Sequence, residues 1–299
     1  MSNVIGRTFR FFMEALTLFI LLLCILSALN PFCGDHFPLL ENCSTILPIT
    51  LLVCLLLIVY WLVSSSFWAF VPAISLIISI GYIGSVFQIP GLNKQKYSKN
   101  DSTIKICTYN IQGLKYGKID LTVQMVSDFI KDNGVDILCI QELDSTPEYT
   151  IDSIKDKFHY LPYKSVAYSD QPGFALAIFS KYPILRSKRI NFGSTSNKAM
   201  WSDLLIDNDT VRLINFHLQT TNFNQVKMSI IPKYLFWDLK REAKKTKNVL
   251  DKLNNNFSKR LKQGEKLSSC INSANYPVLV CGDMNASPAS YSYHQIKGH

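Results

Sequence analysis

Four short apolar segments of the chain each end in a polar residue of a type that binds metal ions or moves protons. The segments end at Asn110, Glu142, His217 and Asp283, and Asn285 follows the last of them by two residues. Each segment has the apolar pattern of a β-strand, and open α/β sheets bind their ligands at the ends of strands. Each residue taken singly also fits an ordinary strand end or turn. Together, the five predict one shared site.

These residue types suit the hydrolysis of a phosphate ester. A phosphodiester is negatively charged, so its hydrolysis requires a cation at the phosphoryl oxygens, a base for water and donors for the developing charge. Magnesium binds few carboxylates and keeps several waters, so Glu142 with help from Asn110 is a sufficient set of protein ligands.

The chain from about residue 104 to 299 resembles the endonuclease/exonuclease/phosphatase superfamily, which shares the fold of pancreatic deoxyribonuclease. Five motifs in the family's order carry the resemblance: Thr108-Tyr109-Asn110, Ile140-Gln141-Glu142, the run Ala177 to Ile184, Asn215-Phe216-His217-Leu218-Gln219 and Gly282-Asp283-Met284-Asn285. The resemblance implies an α/β fold, a four-layer α/β/β/α sandwich of two packed mixed sheets. It also implies hydrolysis of phosphodiester bonds with Mg²⁺ or Mn²⁺.

Roles for the site residues follow from the same resemblance. Asp283 is expected to orient or deprotonate the attacking water, Asn285 to hold the phosphate, and His217 to hydrogen-bond a phosphoryl oxygen. The substrate is expected to be a nucleic acid or a phospholipid headgroup. Loops such as 144–149 and 163–173 are expected to select between them.

One departure from the family's pattern concerns the end of the sequence. Family members usually continue past Gly-Asp-x-Asn to a terminal Asp-His pair, whereas this sequence ends at Lys297-Gly298-His299. The pattern places His299 after a helix that begins near Ser287 and Pro288. The sequence therefore predicts a domain lacking its C-terminal strands and leaves the activity of the 299-residue form open. The alternatives are an inactive relative that binds anions or a partner, and a membrane scaffold.

The amino-terminal residues 1–90 have the composition of a membrane region. Segments 11–29, 46–63 and 67–89 are each long and apolar enough to cross a bilayer, for which about 20 apolar residues suffice. The first segment also has features of a signal peptide. We expect three spans, a polar linker over 91–103 and the phosphoesterase-like domain over 104–299.

Charge around the first span predicts its orientation. Arg7 and Arg10 precede it, whereas the loop 30–45 contains no Lys or Arg. The positive-inside rule then places that loop, and after three spans the catalytic domain, outside the cytoplasm of an integral protein of the cell membrane. Lysines that follow the third span argue for the opposite orientation: Lys94, Lys96 and Lys99.

The cysteines suggest structural positions only. Cys107, Cys139 and Cys281 lie in strand patterns and are expected to be small core residues. If the loop 30–45 lies outside the cytoplasm, Cys33 and Cys43 are candidates for a disulfide.

Positive charge is concentrated in the soluble part of the chain. Residues 1–90 carry a net charge of −1 and residues 91–299 a net charge of +10, and twelve Lys or Arg stand against four acids between Lys227 and Lys266. Apolar residues recur there at helical spacing, which predicts amphipathic helices with a basic outer face. Such a face is either a solvated surface or attracts a polyanion, namely nucleic acid or an anionic membrane.

Overall fold

A computed structural model describes residues 2–34, 36–86, 103–114, 119–144, 150–168, 174–193, 195, 197–220 and 239–297. The chain forms two compact units. We call Met1–Gln95, Thr221–Leu261 and Ala286–His299 the apolar unit, and Lys96–Thr220 with Lys262–Asn285 the sandwich unit. Several predicted features lie outside the described residues: most of the linker 91–103, loop residues 145–149 and 169–173, the start of the basic segment and His299.

Nine α-helices are assigned within the described residues: α1 (Ser2–Cys33), α2 (Pro38–Thr45), α3 (Leu47–Val63), α4 (Phe70–Ile78), α5 (Ile80–Val86), α6 (Ile119–Asp132), α7 (Ile151–Lys157), α8 (Leu239–Asn272) and α9 (Tyr291–Lys297). A 3₁₀ turn at Phe67–Ala69 precedes α4, and another lies at Gln112–Leu114. The helix expected from Ser287 begins later, because the Ser290 hydroxyl accepts the backbone N–H of Tyr293 and caps α9.

Eight strands of the described residues form two four-stranded sheets. Sheet A has the order β1-β2-β4-β3, and sheet B the order β5-β6-β7-β8. The β1–β2 and β7–β8 pairs are parallel and the others antiparallel, so both sheets are mixed. The bounds are β1 (Ile106–Asn110), β2 (Ile137–Leu143), β3 (Tyr163–Ala167), β4 (Ala175–Ser180), β5 (Ile184–Ile190), β6 (Lys198–Ile206), β7 (Asp209–His217) and β8 (Val278–Asp283).

Alternating apolar residues pack the inner faces of the two sheets together. Cys139 and Ile178 of sheet A share one buried cluster with Met200, Leu204 and Leu213 of sheet B. The outer face of sheet A is covered by helices. Buried residues of α6 and α7 form a second cluster with that face: Val123, Ile130 and Ile154. The predicted α/β class with two packed mixed sheets is confirmed.

The β6–β7 hairpin is formed as its sequence predicts. Asp207 and Asn208 join the strands with φ angles of 47° and 73°. Positive φ at both central residues is the conformation of the two-residue turns that match strand twist, and Asp and Asn tolerate it. The turn sets the β6–β7 register and therefore where β7 ends.

Apolar helices dominate the apolar unit. Cys24 of α1 and Cys54, Leu57 and Trp61 of α3 form its core, and the Trp61 indole N–H donates to Thr17 Oγ1 at 2.9 Å. Among the described residues, only α1, over Val4–Cys33, is long and apolar enough to cross a bilayer, which is compatible with a span or a signal sequence. The helices at Leu47–Val63 and Phe67–Ile78 are shorter than the spans the sequence predicts.

A buried ion pair joins α2 and α8 within the apolar unit. Arg260 Nη2 donates to Glu41 Oε1 at 3.1 Å, and the two side chains are only 2% and 1% exposed. Asn30 Nδ2 donates to the other carboxylate oxygen at 3.0 Å. Asn42 Nδ2 donates to Asn254 Oδ1 at 3.4 Å, again between α2 and α8. These contacts fix α8 against α2.

The described part of α8 has the predicted amphipathic character. Val249 and Phe257 are buried, whereas Lys252, Lys259 and Lys262 are exposed. The candidate disulfide is not formed in this structure, since the thiols of Cys33 and Cys43 are both free. Cys139 is fully buried in the sheet core, as predicted.

Candidate active site

Sheet A contributes two site residues from the ends of neighbouring strands. Asn110 ends β1, and Glu142 lies near the end of β2, where the β2–β4 register shifts between Ile140 and Leu143. Glu142 has a φ of 53°, in the left-handed region. A bulge of this kind re-aims a side chain, and such strain is commonly found at functional sites.

Sheet B contributes the remaining residues from β7, β8 and the turn after β8. His217 and Asp283 are register partners in the parallel β7–β8 pair. Gly282 allows this close approach, because a Cβ there would lie 2.2 Å from the Phe216 carbonyl oxygen. The backbone N–H of Asn285 then donates to Asp283 Oδ1 at 3.0 Å, which fixes the turn and one carboxylate oxygen.

The five predicted site residues converge at one edge of the sandwich unit. Asn110 Nδ2 donates to Glu142 Oε1 at 3.1 Å and to Asp283 Oδ2 at 2.9 Å. His217 Nε2 lies 3.2 Å from Glu142 Oε1, 3.8 Å from Asp283 Oδ2 and 3.1 Å from Asn285 Nδ2. Asn285 Nδ2 also donates to the Leu218 carbonyl at 3.0 Å. Residues separated by as many as 175 positions therefore form one hydrogen-bonded group.

The charges of this group are unbalanced. Burial lowers the pKa of His217, although Asp283 and Glu142 oppose the shift, so the imidazole is neutral near pH 7. The group then holds two carboxylates that share neutral donors. Like-charged carboxylates in a partly buried site repel each other, and a divalent cation would offset that repulsion.

The oxygen donors suit magnesium or manganese. Glu142 and Asp283 present carboxylate oxygens to the same edge, and magnesium needs few protein ligands because it keeps several waters. Asn110 would become a ligand only after rotation of its amide, since Nδ2 faces the carboxylates and Oδ1 accepts the backbone N–H of Gln112 at 2.9 Å. Among the described residues, no three or more His, Cys, Asp or Glu side chains form a preformed metal cage.

Two buried side-chain amides, those of Gln141 and Asn215, lie beside the site. Gln141 belongs to the Ile140-Gln141-Glu142 motif, and its side chain is 1% exposed and donates to Asn215 Oδ1 at 2.7 Å. Asn215 is fully buried, and the sequence gives no role to it. Polar residues at apolar strand positions are the signal that could have found the pair, because buried amides need partners.

A sequence model of the Endonuclease/Exonuclease/phosphatase family matches residues 107–299. This match covers well over half of the chain, so the chain belongs to that family. A domain of unknown function (DUF8431) matches residues 7–86. A comparison with curated proteins found no match.

Similar solved structures include D. rerio TDP2 in complex with a single-strand DNA product, the human Nocturnin catalytic domain with a bound sulfate anion, and sphingomyelinase C from Streptomyces griseocarneus. Their identities to this chain are 18%, 17% and 16%, and the TM-scores are 0.47, 0.43 and 0.41. The matches cover 66%, 64% and 66% of this chain and 66%, 66% and 69% of those chains. This chain therefore spans about two thirds of the length of each of these three proteins.

Proposed function

We propose that the chain is a membrane-anchored, Mg²⁺- or Mn²⁺-dependent phosphodiester hydrolase, acting on a nucleic acid or a phospholipid headgroup. The observation that carries the proposal is the convergence of Glu142, Asp283, His217, Asn110 and Asn285 at one edge of the two sheets. The oxygen donors and the membership of the Endonuclease/Exonuclease/phosphatase family both agree with it.

Glu142 and, after rotation of its amide, Asn110 would hold the divalent ion. When bound, that ion supplies positive charge to the phosphoryl oxygens, which lowers the repulsion of an incoming nucleophile. Before that rotation, Asn110 spaces the two carboxylates by donating to both of them. We assign Glu142 to metal binding and Asp283 to the attacking water.

Asp283 is proposed to orient the attacking water and to take its proton at Oδ2. Oδ1 is held by the Asn285 N–H, so the carboxylate cannot swing away from the site. His217 and the Asn285 amide lie beside it and would donate hydrogen bonds to phosphoryl oxygens as charge develops there. For that role His217 must carry its proton on the nitrogen that faces the phosphate.

The substrate class is tested by turnover with the purified 299-residue chain. Supercoiled DNA, RNA, phosphatidylinositides and sphingomyelin are each offered with Mg²⁺, with Mn²⁺ and with EDTA. We expect cleavage of one class, dependent on the divalent ion. Absence of cleavage of all four under every condition would overturn the proposal and favour the inactive, anion- or partner-binding relative.

The ion pair of the apolar unit supports an extracytoplasmic catalytic domain. Glu41 belongs to the loop after the first predicted span, and Arg260 to the stretch matched by the phosphoesterase family. Residues in contact lie on the same side of a membrane. The absence of Lys and Arg from 30–45 places that loop outside under the positive-inside rule, and we propose that the family domain lies there too.

Thiol labelling of intact cells tests this orientation. Ser258, exposed on α8, and Gly6, exposed at the start of α1, are replaced by cysteine in separate variants. A membrane-impermeant maleimide is expected to label Ser258→Cys in intact cells and Gly6→Cys only after permeabilisation. The unsubstituted chain gives the background from native cysteines. Labelling of Ser258→Cys only after permeabilisation would contradict the orientation.

A further inference from the structure

Two adjacent side chains of β2 both point toward sheet B. Gln141 Nε2 lies 2.7 Å from Asn215 Oδ1, and Glu142 Oε1 lies 3.2 Å from His217 Nε2. Consecutive side chains of a regular strand point to opposite faces, so this pairing requires an irregular backbone. The register shift and the positive φ of Glu142 supply it.

The Asn215 side chain of sheet B contacts β2, which carries this bulge, and its neighbour β4. Its Nδ2 donates to the carbonyl oxygens of Ile140 on β2 at 3.1 Å and of Ala177 on β4 at 3.0 Å. Ile140 and Ala177 are register partners, and they are the last regular pair before the shift. One side-chain amide of sheet B therefore donates a hydrogen bond to one carbonyl oxygen on each of two sheet A strands, directly before the register shift.

Gln141 connects Asn215 to β1. Its Nε2 donates to Asn215 Oδ1 and also to Thr108 Oγ1 of β1 at 3.0 Å. Both amides are buried, at 1% and 0% exposed, so the contact between them forms in a medium of low polarity. A buried polar network in which the donors are satisfied rigidifies its surroundings, whereas removal of one partner leaves costly unpaired groups.

We propose that Gln141 and Asn215 are positioning residues, an inter-sheet amide pair that holds the β2 bulge and so aims the Glu142 carboxylate at His217 and the metal position. The metal part of this inference rests on the proposed function. Neither amide touches the reacting atoms, because both lie inside the sandwich. The effect passes through the backbone of β2, in which Gln141 immediately precedes Glu142, and through β7, in which Asn215 lies two residues before His217.

The test replaces Asn215 by leucine, which is close in volume and lacks the amide. The Mn²⁺ affinity of the full chain, measured by calorimetry, is expected to fall about 10- to 100-fold, as is typical when an outer partner of a metal ligand is lost. Ser202→Ala is the matched control, because Ser202 is also a fully buried polar residue of sheet B, and its hydroxyl bonds Ser187 at 2.7 Å instead of a group of sheet A. That variant is expected to keep its Mn²⁺ affinity.

The exchanged double variant Gln141→Asn/Asn215→Gln provides a rescue. It keeps one amide pair of the same total length, so it is expected to recover most of the Mn²⁺ affinity that Asn215→Leu loses. Thermal midpoints of all variants separate loss of affinity from loss of fold. Wild-type affinity in a folded Asn215→Leu variant would overturn the inference.

A crystal structure of Asn215→Leu gives a readout that needs no metal. The Glu142 Oε1 to His217 Nε2 separation, 3.2 Å in the wild-type chain, is expected to lengthen beyond contact distance. Should the wild-type chain bind no Mn²⁺, the proposed function fails, and the positioning role is then decided by this separation alone. An unchanged separation would contradict that role.

Discussion

Replacement of Asp283 by asparagine is expected to lower phosphodiester turnover by about 10²- to 10⁴-fold, the usual contribution of a positioned general base. Asparagine has nearly the same shape and can still accept one of the two hydrogen bonds that Asp283 accepts, but it cannot take a proton from water. The Glu142 carboxylate remains, so Mn²⁺ binding is expected to persist. The measurement is the initial rate on the substrate cleaved by the wild-type chain.

A matched control separates this effect from a general change of charge. Asp209→Asn removes an exposed carboxylate at the start of β7, away from the site edge, and is expected to leave the rate unchanged. A turnover rate unaffected by Asp283→Asn would remove Asp283 from the mechanism and with it the assignment of the site.

Replacement of Arg260 by leucine is expected to destabilise the apolar unit by about 3–5 kcal/mol, because it leaves the buried Glu41 carboxylate without its charged partner. Both side chains are almost completely excluded from solvent, so water cannot compensate for the loss. The measurement is the thermal midpoint of the purified chain in detergent, followed by intrinsic tryptophan fluorescence.

Two further variants show whether the buried charge is the cause. Lys259→Leu changes the neighbouring, exposed residue of α8 and is expected to alter stability by about 0.5 kcal/mol or less. The double variant Glu41→Leu/Arg260→Leu removes both charges and is expected to recover most of the loss, since apolar pairs often replace buried ion pairs without cost. Equal midpoints for Arg260→Leu and Lys259→Leu would refute this account of the ion pair.

The sequence was sufficient to predict the strands and their terminal site residues because both depend on local patterns. Apolar runs or apolar alternation mark β1, β2, β7 and β8, and a polar residue that ends such a segment must lie at a sheet edge. The Asp207-Asn208 turn likewise fixes its hairpin with two residues. Asn110, Glu142, His217 and Asp283 could therefore be placed at strand ends without any knowledge of the contacts between sheets.

Features that depend on distant contacts could not be predicted in this way. Strand alternation places Gln141 and Glu142 on opposite faces, and only the pairing of Gln141 with Asn215, 74 positions away, shows why both face sheet B. The Glu41–Arg260 pair joins residues 219 positions apart and follows from no local pattern. The start of α9 was predicted too early because two serines compete for the cap and the sequence does not decide between them.

The central claim is that Glu142 and its neighbours form a divalent metal site, and titration calorimetry with Mn²⁺ tests it most directly. The wild-type 299-residue chain is expected to bind the ion, and Glu142→Ala is expected to abolish measurable binding while keeping the wild-type thermal midpoint within a few degrees. Binding of Mn²⁺ with the same affinity by both proteins, or by neither, would contradict the account.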